Sequence, residues 1–288
     1  MQANATLVLI GASMLWGLTW LPLKSLHEMG FDGVPLTFWL YTLLFLIVLP
    51  WVLKFRSVLK IHWKTLLAVA LLGGGAQLAF NTALIYGDVI RVMVLFYLVP
   101  LWGVLGGRFF LKEHIDRARW LGVAFSLFGA FLVVGGLHAF QSPPSWIDGL
   151  AILSGFLFAM NNITFRLTPH VPVSLKISFM FLGSIMLAGS VIVSMEMPLI
   201  SNEISWQAWF WLLAYAALWM MAANFGTQWA VTHMEAGRAS IIIILELVVA
   251  VLSASLILGE SMSSLEMVGG ALILLAAYIE AKKAPEHT

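Results

Sequence analysis

Four carboxamides sit in pairs inside long apolar runs. Gln77 and Asn81 are four residues apart, as are Asn224 and Gln228, so each pair falls on one face of a helix. Asn161 and Asn162 lie in a further apolar run, and Thr19 stands between Trp16 and Trp20. A carboxamide both donates and accepts hydrogen bonds, so the set suits a neutral polar or zwitterionic solute. Trp16, Trp20, Phe96, Tyr97, Trp102 and Phe158 offer flat apolar walls, and their faces attract cations. Two bland roles stand beside this one. Buried amides also join helices to one another, and aromatic rings also fill cores.

Glu246 is the one acid well inside an apolar run. It can carry a coupling proton, bind a cationic group, or hydrogen-bond the backbone of a neighbour. Arg91 and Arg238 mark the starts of two runs, either as anchors that snorkel to the interface or as gates. Pro100 can kink its run at mid-depth and act as a hinge. Gly73-Gly74-Gly75, the pair Gly103 and Gly107, and Gly269-Gly270 allow close helix packing, and the first group also allows flexing. Glu113 and Glu260 follow the ends of two runs, where they can cap the next helix or pair with Arg.

Much chemistry is excluded. The chain has no Cys, hence no disulfide, thiolate catalysis or Cys-based zinc site. Its seven His, at 27, 62, 114, 138, 170, 233 and 287, fall in loops, tails or helix ends and form no His-x-x-x-His pattern. There is no Gly-x-x-x-x-Gly-Lys-Ser/Thr loop, so no nucleotide-driven pump is encoded. A net charge of +1 gives nucleic acid no electrostatic footing. No enzyme, cofactor or metal is expected.

The elements that hold these residues are set by composition. Of the 288 residues, 61% are apolar and only 10% are charged, against about a quarter charged in a soluble domain. Mean hydropathy is +0.96. Ten apolar runs approach the ~20 residues that cross a bilayer. They fall at about 5–23, 34–53, 65–86, 92–110, 119–137, 147–165, 174–195, 207–230, 239–258 and 265–281. The first run follows a leader without positive charge and is read as a span, not a signal peptide. With both termini in the cytoplasm, that side holds 13 of the 15 Lys and Arg, leaving only Lys24 and Arg91 outside.

The chain divides near Gln141-Ser142-Pro143-Pro144 into two halves of five runs. An odd number makes the halves inverted, as in many transporters. A shift of 147 places Arg91 on Arg238, Glu113 on Glu260, Gly122 on Gly269, Gln77 on Asn224 and Asn81 on Gln228. A shift of 142 places Thr19 on Asn161 and Lys24 on Arg166. Glu246 falls on Val99, so the acid is not duplicated.

Several of these residues carry a resemblance. Trp16-Gly17 with Lys24, their partners Phe158-Ala159 and Arg166, Pro100 with Leu111-Lys112-Glu113, and Leu245-Glu246 with Leu258-Gly259-Glu260 are similar to the motifs of the drug/metabolite transporter superfamily. The sequence resembles its ten-helix EamA-like permeases over about 5–281. The family often has Pro where this chain has Leu247, which puts a hinge in that half in question. Within the superfamily, the aromatic-rich helices are similar to bacterial aromatic amino-acid exporters.

The expected fold is an all-α integral membrane protein of ten transmembrane helices. Two inverted five-helix EamA-like repeats, 5–137 and 147–281, place both termini in the cytoplasm. The expected function is a secondary transporter of the bacterial inner membrane, moving small polar metabolites, amino acids including aromatic ones, by alternating access and as an exporter. Flat organic cations, other metabolites and lipids are the alternatives. The expected substrate site is Trp16, Thr19, Trp20, Gln77, Asn81, Tyr97, Trp102, Phe158, Asn161, Asn162, Asn224 and Gln228. Glu246, Pro100, Arg91 and Arg238 are expected to couple or gate. The expected partners are a small solute and the lipid bilayer, for a monomer or weak dimer.

Overall fold

The computed structural model describes residues 2–31, 33–86, 89–133, 135–137, 143–200, 204–258 and 263–282. Glu260, Gln141, Ser142, Lys283, His138 and His287 lie outside the described residues, as do the side chains of Lys24, His27 and Arg91. Every regular element among the described residues is helical. In chain order they are α1 (Gln2–Gly17), α2 (Trp20–Glu28), α3 (Gly33–Lys54), α4 (Arg56–Ile61), α5 (Trp63–Tyr86), α6 (Val89–Phe96), α7 (Val99–Leu111) and α8 (Arg117–Val133). There follow α9 (Trp146–Leu167), α10 (Val173–Ser194), α11 (Trp206–Ala214), a π-helical turn (Tyr215–Met220), α12 (Met221–His233), α13 (Ala236–Ile243), α14 (Leu245–Leu258) and α15 (Ser264–Lys282).

Apolar composition drives these segments to helix, because hydrocarbon leaves the backbone no partner but itself. Polar residues mark the ends. The Asp116 carboxylate accepts from the Arg119 N–H at 2.8 Å and starts α8. The Ser263 N–H donates to Glu266 at 2.6 Å while the Glu266 N–H donates back to the Ser263 hydroxyl at 3.2 Å, a reciprocal cap on α15. The buried Lys176 ammonium donates to the carbonyls of Phe165 (2.8 Å) and Thr168 (3.0 Å), satisfying the last turn of α9.

Seven segments are long and apolar enough to cross a membrane: Asn4–Leu23, Gly33–Lys54, Trp63–Ala83, Trp146–Leu167, Val173–Ser194, Trp206–His233 and Ser264–Lys282. The other three expected runs form shorter helices. Two of them are interrupted, as α6–α7 and α13–α14, and the third is α8, of 17 residues. Large apolar side chains such as Leu218, Leu256, Phe109 and Val193 face outward, and Trp63, Trp146 and Trp206 stand exposed at helix starts. An apolar outer surface with Trp at its rims fits a bilayer.

The helices pack α3 on α10, α5 on α9 and α10, α8 on α15, α1 on α12 and α14, and α7 on α9 and α13. Small residues bring them close. A Cβ on Gly129 would lie 2.7 Å from the Gly269 carbonyl, and one on Gly269 would lie 2.5 Å from the Gly129 carbonyl. Gly73 and Gly74 lie against Met180 and Gly183, and α5 runs unbroken through them, so the flexing role expected of Gly73 to Gly75 gains no support.

One end of the bundle gathers charges out of water. Arg119, 1% exposed, pairs with Glu235 and, at 3.7 Å, with the fully buried Glu280. The Glu113 carboxylate accepts the N–H groups of Ala236 (2.8 Å) and Gly237 (3.3 Å), so it caps α13 across the molecule and not the helix that follows it. Burial pushes the Glu113 carboxyl above its ordinary value, and the two N–H donors pull it partly back. The Arg238 guanidinium donates to the Thr6 hydroxyl (3.1 Å) and the Ala281 carbonyl (2.8 Å). This knot ties the starts of α1, α8 and α13 to the end of α15. We call this the terminal end.

The glycine crossing is testable. Gly129→Leu must displace the Gly269 backbone and is expected to cost about 1–3 kcal/mol of stability. At the control position Gly11 an added Cβ meets nothing within 4 Å, and Gly11→Leu is expected to be neutral. Melting in detergent measures both.

Candidate functional site

Among the described residues, three helix pairs are broken at their middles. The chain leaves helical form at Leu18 and Thr19 between α1 and α2, at Tyr97 and Leu98 between α6 and α7, and at Ile244 between α13 and α14. Pro100 explains the second break, since it has no N–H to return to the Phe96 carbonyl, and it lies buried at the start of α7. The third break occurs without proline. Leu247 stands where the resembled family often has Pro, and the helix is interrupted there all the same. Irregular backbone at membrane depth is tolerated only inside protein or along a cavity.

A cavity of about 780 Å³ lies against all three breaks. Thr19, Tyr97 and Glu246, each at or next to a break, reach its wall. The cavity extends from there to the α2–α3 turn at Phe31 and Gly33, at the end opposite the ion knot. Trp16, Trp20, Phe80, Phe96, Tyr97 and Phe158 form much of its surface. The Phe96 ring is 4.5 Å from Phe80, 5.3 Å from Tyr97 and 5.9 Å from Phe158, which makes one aromatic floor.

Hydrogen bonds hold the walls. The Trp16 indole N–H donates to the Thr227 hydroxyl at 3.1 Å, and that of Trp20 to the Ser253 hydroxyl at 3.0 Å. Both bonds fix α1–α2 against the second half. The Asn81 amide donates to the Thr37 hydroxyl at 2.6 Å, which orients it toward the space. The Thr19 hydroxyl donates to the Leu15 carbonyl at 3.0 Å. Gln77 faces the cavity and makes no hydrogen bond among the described residues, so its amide is available to a solute. The Tyr97 hydroxyl stands within hydrogen-bonding reach of the Glu246 carboxylate. Glu246 is the only charged side chain among the described lining residues.

The structure thus brings together Trp16, Thr19, Trp20, Gln77, Asn81, Tyr97, Phe158 and Glu246. Arg91 lies outside the described side chains, and the remaining expected residues do not line this cavity. The Asn224 amide donates to the Met220 carbonyl of its own helix at 2.8 Å. The Gln228 amide donates to Asn162 at 3.3 Å, and Asn161 turns to Met180 sulfur at 3.8 Å. Trp102 packs edge-on against Phe156, centroids 5.7 Å apart. Arg238 belongs to the ion knot. Those amides are buried between helices, so carboxamide chemistry alone did not separate wall from glue. The sequence reading missed Thr37, Tyr41, Tyr215 and Thr227. Thr37 and Tyr41 share a helix face at four-residue spacing, but hydroxyls are too common in apolar helices to stand out.

A helical bundle with an apolar outer surface, interrupted helices and a ring-lined cavity open toward one end defines a multi-pass membrane transporter. The chain belongs to the EamA-like transporter family, within the drug/metabolite transporter superfamily, whose pattern matches residues 4–135 and again 145–280. It is 24% identical over 285 residues to the uncharacterized transporter YoaV of Bacillus subtilis, covering 95% of this chain and 94% of that one. It is 26% identical over 147 residues to a riboflavin transporter of Rhizobium johnstonii, covering 50% of this chain and 46% of that one. A crystal structure named only as that of a protein superposes with a TM-score of 0.82 at 18% identity, over 97% of this chain and 98% of the other. That last likeness shows the fold alone.

A flat solute in the cavity is expected to quench tryptophan emission through Trp16 and Trp20. Trp16→Phe with Trp20→Phe keeps rings in place and should remove most of the quench. An unchanged quench would put the solute elsewhere.

Proposed function

We propose that the protein is a secondary transporter that moves small solutes bearing a flat ring and an amine, aromatic amino acids among them, by alternating access. The observation that carries this reading is the lining of the cavity. Tilted and edge-on rings form the floor, amide and hydroxyl groups line the walls, one carboxylate faces in, and no basic side chain occurs among the described lining residues. An ammonium fits between Glu246 and ring faces. The free Gln77 amide suits a carboxylate or a ring substituent. An anionic solute would find no basic partner among the described lining residues. A volume of about 780 Å³ lies within the ~300–1,000 Å³ of small-molecule sites.

On this reading ten spans form two inverted repeats with the terminal end in the cytoplasm of a bacterial inner membrane. The packing supports it. Exchanging the halves turns α1 on α12 into α9 on α5, and α1 on α14 into α9 on α7, while α3 on α10 and α8 on α15 map onto themselves. The breaks before Val99 and before Leu245 differ by 146 residues, close to the 147 of the sequence repeat. The Lys and Arg asymmetry supports the orientation. We assign no catalytic step to the chain. The direction follows the solute gradient, outward for a metabolite made inside.

A second reading rests on the riboflavin transporter. A neutral, flat heteroaromatic solute would also suit a ring-lined cavity with no basic residue among its described lining. Counterflow in proteoliposomes separates the two. Vesicles loaded with unlabelled aromatic amino acids, Thr, Met, riboflavin, nucleosides or a flat organic cation are assayed for uptake of the same solute in labelled form, with no ion gradient. Exchange of an aromatic amino acid is expected, with Asn81→Ala reducing it. Glu246→Gln is expected to weaken amine-bearing solutes about tenfold and spare neutral ones. Exchange of riboflavin alone would replace the first reading with the second, and exchange of nothing in the panel would sink both.

A further inference from the structure

Charges at the terminal end fall into two groups. The ion knot holds the acids Glu113, Glu235 and Glu280 together with Arg119 and Arg238. The other group lies on the α3–α4–α5 connection. Lys54, Arg56, Lys60 and Lys64 fall within eleven residues there, around His62. No acid occurs in the sequence between Asp32 and Asp88, nor between Asp148 and Glu196, the stretch that holds the α9–α10 turn. The two stretches that build this corner are therefore free of negative side chains.

The fold brings those two stretches together. α3 starts at the end opposite the ion knot and runs for 22 residues, so it delivers Lys54 to the terminal end. The short α4 then lies between two spans. Phe55, Val58 and Leu59 pack with Val171 and Leu175 around the start of α10. The His62 ring meets that of His170 at 4.8 Å, so the α9–α10 turn closes on the connection. Lys54, Arg56, Lys60 and Lys64 all stay exposed. Arg56 and Lys60 are four residues apart and share the outer face of α4. Among the described residues, no ion pair reaches any of the four. The Lys54 and Lys64 ammonium groups instead lie 5.5 Å and 5.8 Å from the ring centres of Phe55 and Trp63.

Orientation in the membrane does not explain the pattern. It calls for Lys and Arg on one side but is nearly blind to acids. Here the acids are missing as well, and a cluster of one sign repels itself unless an anion meets it. The neighbours decide between a soluble anion and a lipid. Trp51, Leu53, Ile61 and Trp63 stand exposed among the cations. A soluble phosphate has no use for them. A phospholipid has, because its chains meet Leu53 and Ile61, the indoles sit at headgroup level, and the basic groups meet its phosphate.

We infer that the α3–α4–α5 connection is a docking surface for the headgroup of an anionic phospholipid. Arg56 and Lys60 hold the phosphate, the guanidinium through paired N–H donors, and Lys54 and Lys64 flank it. Because α4 rests on the start of α10, a lipid held there steadies the contact between the two. The inference stands apart from the transport reading and holds whatever solute the cavity takes.

The test uses the full chain in a neutral detergent. Melting is followed while dioleoyl phosphatidylglycerol, dioleoyl phosphatidylcholine or inorganic phosphate is added. Phosphatidylglycerol is expected to raise the melting point, and the other two to leave it where it was. The rise is expected to shrink as salt goes from about 0.05 M to about 0.5 M. The triple variant Arg56→Gln, Lys60→Gln and Lys64→Gln is expected to weaken phosphatidylglycerol roughly tenfold or more, read from the titration midpoint. Arg108→Gln, Lys112→Gln and Arg117→Gln together remove the same charge from other exposed positions at this end, and are expected to keep the parent's affinity. An equal loss in both triple variants would reduce the effect to net charge and overturn the inference. So would an equal rise with phosphatidylcholine, an equal rise with inorganic phosphate, or no rise with phosphatidylglycerol in the parent. Should the first triple variant melt too low to titrate, Arg56→Gln and Lys60→Gln are measured singly. Each is expected to weaken the lipid about fivefold, and no change in either would overturn the inference.

Discussion

Hydrocarbon offers a backbone N–H or C=O no partner, so every interruption of a helix at membrane depth must be sheltered by protein or water. The architecture here follows from that constraint. Three helix pairs are interrupted, and all three interruptions meet at one cavity. The cavity shelters the breaks, and the breaks in turn set Thr19, Tyr97 and Glu246 in its wall. A bundle of unbroken helices would have neither the shelter nor the wall.

The two ends of the molecule are built differently. At the terminal end, Arg119, Glu235 and Glu280 form ion pairs out of water, Glu113 caps α13, and Arg238 ties α1 to α15. Buried ion pairs of this kind contribute little net stability but penalise any arrangement that separates them, so they favour one packing over others. At the other end, indole hydrogen bonds from Trp16 and Trp20 hold α1–α2 against α12 and α14 across the cavity wall. Single neutral hydrogen bonds are modest in net strength. The contrast places the firm closure at the terminal end and leaves the cavity side to weaker ties. The close approach of Gly17 to the backbone at Glu246 adds one tight contact on that side.

Particular residues show what could be read in advance. The apolar runs were legible because span length and hydropathy are local properties, and the described helices follow them closely. Glu246 was legible because a lone acid in an apolar run has few bland explanations, and it does face the cavity. The rings of Trp16, Trp20, Tyr97 and Phe158 line the cavity, whereas Trp102 packs against Phe156. One turn of helix separates a wall from a packed face, and boundaries uncertain by a few residues blur that turn. Glu113 was read as a cap of the next helix or a partner of a nearby Arg, but the N–H groups it accepts, of Ala236 and Gly237, come from the other half of the chain.

The sequence by itself determined that this is a membrane-embedded helical protein with its polar side chains confined to a few helix faces, because lipid imposes those rules on every residue independently. It also determined membership of a transporter family, through motifs spread over the whole length. Only the tertiary structure decided which polar faces are open and which are closed. Gln77 with Asn81 and Asn224 with Gln228 have the same spacing and the same chemistry, yet one pair looks into a cavity and the other is buried against neighbouring helices. That difference lies in how the helices lean on one another. It belongs to the conformational state of the whole bundle, so no local pattern of residues can carry it.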